Sequence, residues 1–171
     1  MSLNFYDEID PRFGRIERRL QRIGWGIIAV VLLLAIAGLF GGGFLSNATA
    51  RHAADGRAIE LTYPRFGRQE SSLEMTLKVT APRASGPELS VLLSGDILDS
   101  ATITGISPQP DSEAVSGDAI VYTWTVESWE GPQAIEFSYE SRDWRSVGGR
   151  VDVLAGDEAL GGLSFEQFLF P

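Results

Sequence analysis

From Ile23 to Ala50 the chain carries no charged residue. The apolar part, Ile23 to Leu45, reads IGWGIIAVVLLLAIAGLFGGGFL. As a helix rising about 1.5 Å per residue it reaches about 34 Å, enough to cross a hydrocarbon layer of about 30 Å with some tilt. It is the only such run in 171 residues. The sequence therefore predicts one transmembrane helix, residues 23–45, in a single-pass membrane protein. The Ala-x-Ala pattern within Ser46-Asn47-Ala48-Thr49-Ala50 resembles a signal-peptidase site, but a secretory signal has an apolar region of only about 7–15 residues. The longer run favours an anchor that stays in place.

The flanks predict orientation. Arg12, Arg15, Arg18, Arg19 and Arg22 precede the span, with only Glu17 among them. The positive-inside rule puts this end in the cytoplasm. Residues 1–22 then form a cytoplasmic basic segment whose five arginines suit anionic lipid headgroups. Leu3, Phe5, Tyr6 and Ile9 leave open a docking role for that segment. Within the span, Gly38 and Gly42 form a small-xxx-small pair, which allows close helix approach and a homodimer through the membrane helix. No ionisable residue falls within the span, which argues against a proton relay or ion path.

Past the span the character changes. Residues 46–56 are small and polar and read as a linker. From Arg57 to Pro171, apolar and polar residues alternate with period two, as in Leu73, Met75, Leu77 and Val79, in Ile120, Tyr122, Trp124 and Val126, and in Ile135, Phe137 and Tyr139. This is the pattern of strands with one face in a core and one in water. Pro82, Ser85-Gly86-Pro87, Ser107-Pro108-Gln109-Pro110, Ser116-Gly117-Asp118, Glu130-Gly131-Pro132 and Gly148-Gly149 read as breaks between them. The expectation is an all-β extracytoplasmic domain over 57–171. It takes the form of an immunoglobulin- or fibronectin-like antiparallel β-sandwich of seven or eight strands.

Composition removes several kinds of chemistry. The chain has no Cys and one His, so thiolate chemistry, disulfides and a multi-His zinc site are excluded. Its 14 basic residues stand against 23 acidic ones, and the part beyond Ser46 alone has a net charge of −10, which argues against a nucleic-acid partner. There is no Gly-x-Ser-x-Gly or Ser-x-x-Lys motif. His52 reads as a solvated linker residue. Asp96 with Asp99, and Asp111, Glu113 and Asp118, are acidic clusters without EF-hand spacing, and read as turn-forming acids. No catalytic residue, metal ligand or cofactor is expected.

The aromatic residues offer more. Tyr122, Trp124, Phe137 and Tyr139 fall on inward faces and read as core. Trp129 and Trp144 fall in or beside turns, with Trp144 between Arg142 and Arg145. An exposed Trp among arginines is the mix that anchors protein interfaces, and also what a domain edge near lipid headgroups carries. A Trp folded back over a sheet edge is the plain alternative. Phe168 and Phe170 fall on the face opposite Phe165, so the last strand is apolar on both faces. One repeat is visible: Pro11-Arg12-Phe13-Gly14-Arg15-Ile16-Glu17 recurs as Pro64-Arg65-Phe66-Gly67-Arg68-Gln69-Glu70.

Gly14-Arg15-Ile16-Glu17-Arg18-Arg19, the span Ile23 to Leu45, the Ile103 to Pro110 strand and turn, and the terminal Phe165-Glu166-Gln167-Phe168-Leu169-Phe170-Pro171 together resemble a class of small bacterial membrane proteins. These have an Arg-rich start, one anchor and an extracytoplasmic β-sandwich. The resemblance implies the bacterial inner membrane, with the C-terminal domain periplasmic, and supplies no catalytic residue. The function expected is that of a non-catalytic accessory or stabilising subunit of a larger membrane complex. Its partners would be other membrane-protein subunits and the lipid bilayer. A tethered module for a ligand, glycan or metal is the alternative, and a paired-carboxylate hydrolase the least favoured.

Overall fold

The computed structural model describes residues 13–36, 46–54, 56–81 and 86–171. The first element is a helix, α1 (Phe13–Ile36). It runs without a break from the basic segment into the apolar one, through Gly24 and Gly26 and with no Pro inside it. Its stretch Arg18–Ile36 is long and apolar enough to cross a membrane. Leu20, Ile23, Trp25, Ile27, Ile28 and the large apolar side chains through Ile36 are exposed all round it. A helix apolar on every side has no wet face to turn to water. The rest of the expected span, 37–45, with Gly38 and Gly42, lies outside the described residues, as does Arg12.

The β-unit begins at Ser46. Its elements are β1 (Asn47–Ala54), β2 (Arg57–Pro64), β3 (Phe66–Arg68), β4 (Ser72–Thr80), β5 (Glu88–Ser94), α2 (Asp96–Ser100), β6 (Ala101–Ser107), β7 (Ser112–Ser116), β8 (Ala119–Thr125), β9 (Gln133–Ser141), β10 (Ser146–Ala155) and β11 (Glu158–Phe170). They form two sheets, in the orders β1-β2-β4-β9-β6 and β3-β11-β10-β5-β8-β7. The β-sandwich expected from the alternation is the observed fold. The alternating apolar positions meet across it. Leu61 pairs with Leu77 and Leu77 with Ile135 on one sheet. Val91 pairs with Tyr122 and with Val153 on the other. All of these are buried, as are Trp124, Phe137 and Tyr139.

Four details differ from the sequence reading. The described residues hold eleven strands rather than seven or eight. The expected linker 46–56 carries β1, paired with β2 along its whole length, from Asn47↔Pro64 to Ala54↔Arg57. It has few apolar side chains and buries only Ala48 well, so its place is set by backbone hydrogen bonds, which leave no hydrophobic pattern. The edge strand β7 is likewise exposed throughout. Gly148-Gly149, read as a turn, lies inside β10. A Cβ on Gly149 would collide with the Phe165 ring, so the glycine marks a close approach of an aromatic ring to a strand backbone.

The fourth difference is the sense of one pairing. Among the described residues all ladders are antiparallel except that of β3, which lies parallel to β11, with Phe66 beside Phe168 and Arg68 beside Phe170. This makes β11 an interior strand near its end, flanked by β10 and β3. A C-terminal strand that is apolar on both faces is thereby explained in part: Leu169 faces the core, while Phe168 and Phe170 face outward.

Candidate interaction face

The chain enters the β-unit at Ser46, and several segments distant in sequence gather at that end. The Ser46 carbonyl accepts the Arg65 amide at 2.6 Å, and the Arg65 carbonyl accepts the Phe168 amide at 2.8 Å. The Phe170 carbonyl accepts the Gln69 amide, and the Arg145 carbonyl accepts the Leu169 amide. Residues 64–70, 141–146 and 165–171 are thus tied into one surface.

Aromatic rings occupy its outer side. Phe168 and Phe170 stack edge to face with centroids 4.9 Å apart, and Phe66 lies 6.1 Å from Phe170. Phe168 and Phe170 are 43% and 42% exposed, and Trp144 is 64% exposed. The β10–β11 register pairs Ser146 with Phe168, and the Arg145–Leu169 hydrogen bond carries it one residue further. The turn that carries Trp144 therefore adjoins the end of β11. The Phe66, Phe168 and Phe170 rings are rigid and apolar and lie beside one another, the composition that anchors contact surfaces.

The arginines around the patch divide into two kinds. Arg142 and Arg145 hold the turn in place. The Arg142 guanidinium donates to the carbonyls of Asp99 and Ala101 at 3.3 and 3.2 Å, and its amide donates to the Ser100 carbonyl. Arg145 donates to Ser100 Oγ at 2.6 Å and has Asp143 at 3.9 Å. These two side chains clamp the Trp144 turn onto α2. Arg65 and Arg68 are both exposed, with no guanidinium partner among the described residues.

The other expected residues fall elsewhere. Trp129 is 9% exposed, with its indole N–H donating to the Gly86 carbonyl at 2.9 Å, so it belongs to the core rather than to an exposed group. Arg18, Arg19 and Arg22 are exposed on α1, and Arg15 is in the same helix with its side chain outside the described set. His52 sits on β1 over Gly161. Asp111 accepts the Thr125 amide at 2.6 Å, a loop-closing role. Among the described residues no three His, Asp or Glu side chains converge to hold a metal ion. Burial, with a smaller contribution from Glu113, raises the Tyr122 hydroxyl pKa. Burial raises that of Tyr139 strongly, partly offset by its 2.7 Å hydrogen bond to Gln167 Oε1.

The sequence reading missed Phe66, Arg65 and Arg68. The repeat had singled out their segment, but only the parallel β3–β11 pairing brings it beside Phe168 and Phe170.

The fold and this face together define a class: a two-sheet β-sandwich preceded by an apolar helix, with an aromatic patch where the chain enters the sandwich. No protein-family model matches the chain, and no curated sequence matches it. Among solved structures it is similar to the seventh ScaB type I cohesin from Pseudobacteroides cellulosolvens, at 6% identity and a TM-score of 0.42, over 61% of this chain and 86% of that one. It is also similar to the sixth cohesin of Acetivibrio cellulolyticus scaffoldin B, solved with a dockerin, at 6% identity and a TM-score of 0.40, over 61% and 92%. Similarity to a human seminal-plasma complex of zinc glycoprotein and prolactin-inducible protein is weaker in TM-score, at 11% identity and 0.33, over 74% and 93%. Likeness at this level transfers no residue role and no partner.

Proposed function

We propose that this chain is a non-catalytic, single-pass membrane protein that acts through contacts with other membrane proteins, as an accessory or stabilising subunit of a larger complex. The observation that carries the reading is α1, which presents large apolar side chains on all sides from Leu20 to Ile36. Such a helix needs lipid or other helices around it, and in lipid an apolar stretch without ionisable groups, such as Ile23 to Ile36, works by packing against neighbours. The basic residues at its N-terminal half support a cytoplasmic N-terminus, with the β-unit on the far side of a bacterial inner membrane.

The test is the native size of the untagged protein after mild detergent extraction from its own membranes. Migration far above a monomer, with other subunits co-purifying, is the expected result, and those subunits identify the complex. Migration as a free monomer or dimer overturns the subunit reading. A soluble protein recovered without detergent overturns the membrane reading as well.

A further inference from the structure

We infer that α1 joins copies of this chain to one another. Three or four copies lie side by side and parallel, meeting along a seam that runs from Phe13 through Leu20, Ile23, Ile27 and Val30 to Leu34. The parallel sense rests on the membrane reading above, while the seam rests on α1 alone.

The spacing defines the seam. Along α1 the positions 13, 16, 20, 23, 27, 30 and 34 alternate steps of three and four, the a and d repeat of a left-handed helix bundle, and each holds a large apolar residue. Within the apolar span almost any spacing finds apolar residues, so the basic half of the helix is the part that discriminates. From Phe13 to Arg22 the large apolar residues are Phe13, Ile16 and Leu20, and all three fall on the repeat. The four cations of α1, Arg15, Arg18, Arg19 and Arg22, fall off it, as does its one acid, Glu17. Leu20, Ile23, Ile27, Val30 and Leu34 are all exposed, so no other described residue covers the seam.

Two features fit a second copy of the same helix. The first is charge. In a parallel bundle the g position of one helix faces the e position five residues later on the next. Arg19, at g, then faces Gly24, and no like charges meet. Glu17, at e, faces position 12 of its neighbour, where this sequence has Arg12. Arg15, Arg18 and Arg22, at c and f, fall on the outer side of the bundle. The second feature is the pair Gly24 and Gly26, at e and g on the two flanks of the seam. A Cβ on either would meet nothing within 4 Å. Glycine weakens a helix interior relative to alanine, and nothing in the chain itself requires it at these positions. Beside a seam, the two glycines let neighbouring backbones approach closely. The residue choice also speaks to number. Leu20 and Leu34 stand at a, with Ile16, Ile23 and Val30 at d, and Leu at a with a β-branched residue at d favours three or four helices over two.

The test uses the full chain in lipid vesicles, where the absence of any native cysteine makes single-cysteine variants unambiguous. Leu20→Cys, Ile23→Cys, Ile27→Cys and Val30→Cys, treated with a membrane-permeant oxidant, are each expected to give disulfide-linked pairs. Arg18→Cys, Trp25→Cys and Leu32→Cys, at f on the opposite side, are expected to give none. Adding Gly26→Leu is expected to abolish the link at Ile27→Cys. Native mass spectrometry of the unmodified chain in mild detergent is expected to count three or four copies. Equal linkage at both sets of positions, linkage at neither, or a count of one or two copies overturns this inference while keeping the anchor, and leaves α1 to other subunits. Linkage centred on Gly38→Cys and Gly42→Cys overturns it too, by moving the contact to that pair. A chain that stays in the aqueous fraction without vesicles or detergent overturns the membrane reading itself.

Discussion

The segments 11–17 and 64–70 share six of seven residues, yet they are built differently. Phe13 to Glu17 opens the helix α1, while Phe66 to Arg68 is the edge strand β3. The residues downstream of each copy account for the difference. The first copy runs into Arg18-Arg19-Leu20-Gln21-Arg22, good helix formers in sequence, and a helix once begun propagates at one hydrogen bond per residue. The second runs into Ser71 and the alternating β4, and it meets β11, whose backbone offers a ready ladder. Ser71 closes the bend by donating its hydroxyl to the Arg68 carbonyl at 2.6 Å. A preference of a few tenths of a kcal/mol per residue yields to a neighbouring strand edge.

The two glycines separate the copies most strongly. Gly67 lies against the core, and a Cβ there would stand 2.8 Å from Leu73 Cδ1 and 3.0 Å from Leu169 Cδ2. Gly67→Ala should cost about 1–3 kcal/mol through overpacking. Gly14→Ala should instead favour its helix, by up to about 1 kcal/mol. Thermal unfolding of the two variants in the same detergent, followed by near-ultraviolet circular dichroism, checks the opposite signs. Equal shifts would show that β3 is not packed as described.

Alkaline pH should also divide the two regions, because α1 contains no tyrosine while the β-unit buries Tyr139 and Tyr122. Burial holds the Tyr139 hydroxyl well above its ordinary pKa of 10.0. Above that value the unfolded chain has released a proton that the folded chain keeps. Stability is therefore intact below pH 10 and falls as pH rises beyond it, by about 1.4 kcal/mol per pH unit for this one group. Tyr139→Phe should remove that contribution to the alkaline slope. At neutral pH it should cost about 1–3 kcal/mol, since it leaves Gln167 Oε1 without its donor, and Nε2 of the same side chain already has no partner among the described residues. Denaturant titrations at stepped pH measure both effects, and an unchanged slope in the variant would refute this role for Tyr139.

The mildest test makes the two heptapeptides alike. Gln69→Ile copies Ile16 into the second segment and removes the hydrogen bond from Gln69 to the Arg142 carbonyl. The expected loss is about 0.5–1.5 kcal/mol. β3 should persist, with no gain of helix in far-ultraviolet circular dichroism. A gain of helix would mean that this one residue, and not the neighbouring β11, decides the conformation.

The apolar helix, the β-sandwich and its aromatic core are legible in the sequence, which records each as a pattern: an uncharged run in one case, strict alternation in the other. It also separated Phe165 from Phe168 and Phe170 by parity alone. It did not reveal β1 or β7, whose placement comes from backbone pairing at sheet edges and not from buried side chains. Nor did it reveal that Gly149 lies under a ring. It placed Trp129 beside Trp144 as a candidate, though one is buried and the other exposed, since a turn position does not say which way an indole folds. The aromatic face belonged wholly to the tertiary structure. Phe66, Trp144 and Phe170 are separated by up to 104 positions, and only the parallel register of β3 on β11, with the Arg145–Leu169 hydrogen bond, brings them to one surface. Periodicity records which side of a strand faces the core, while the neighbours of its outer side are chosen by strand pairing, and no local pattern encodes them.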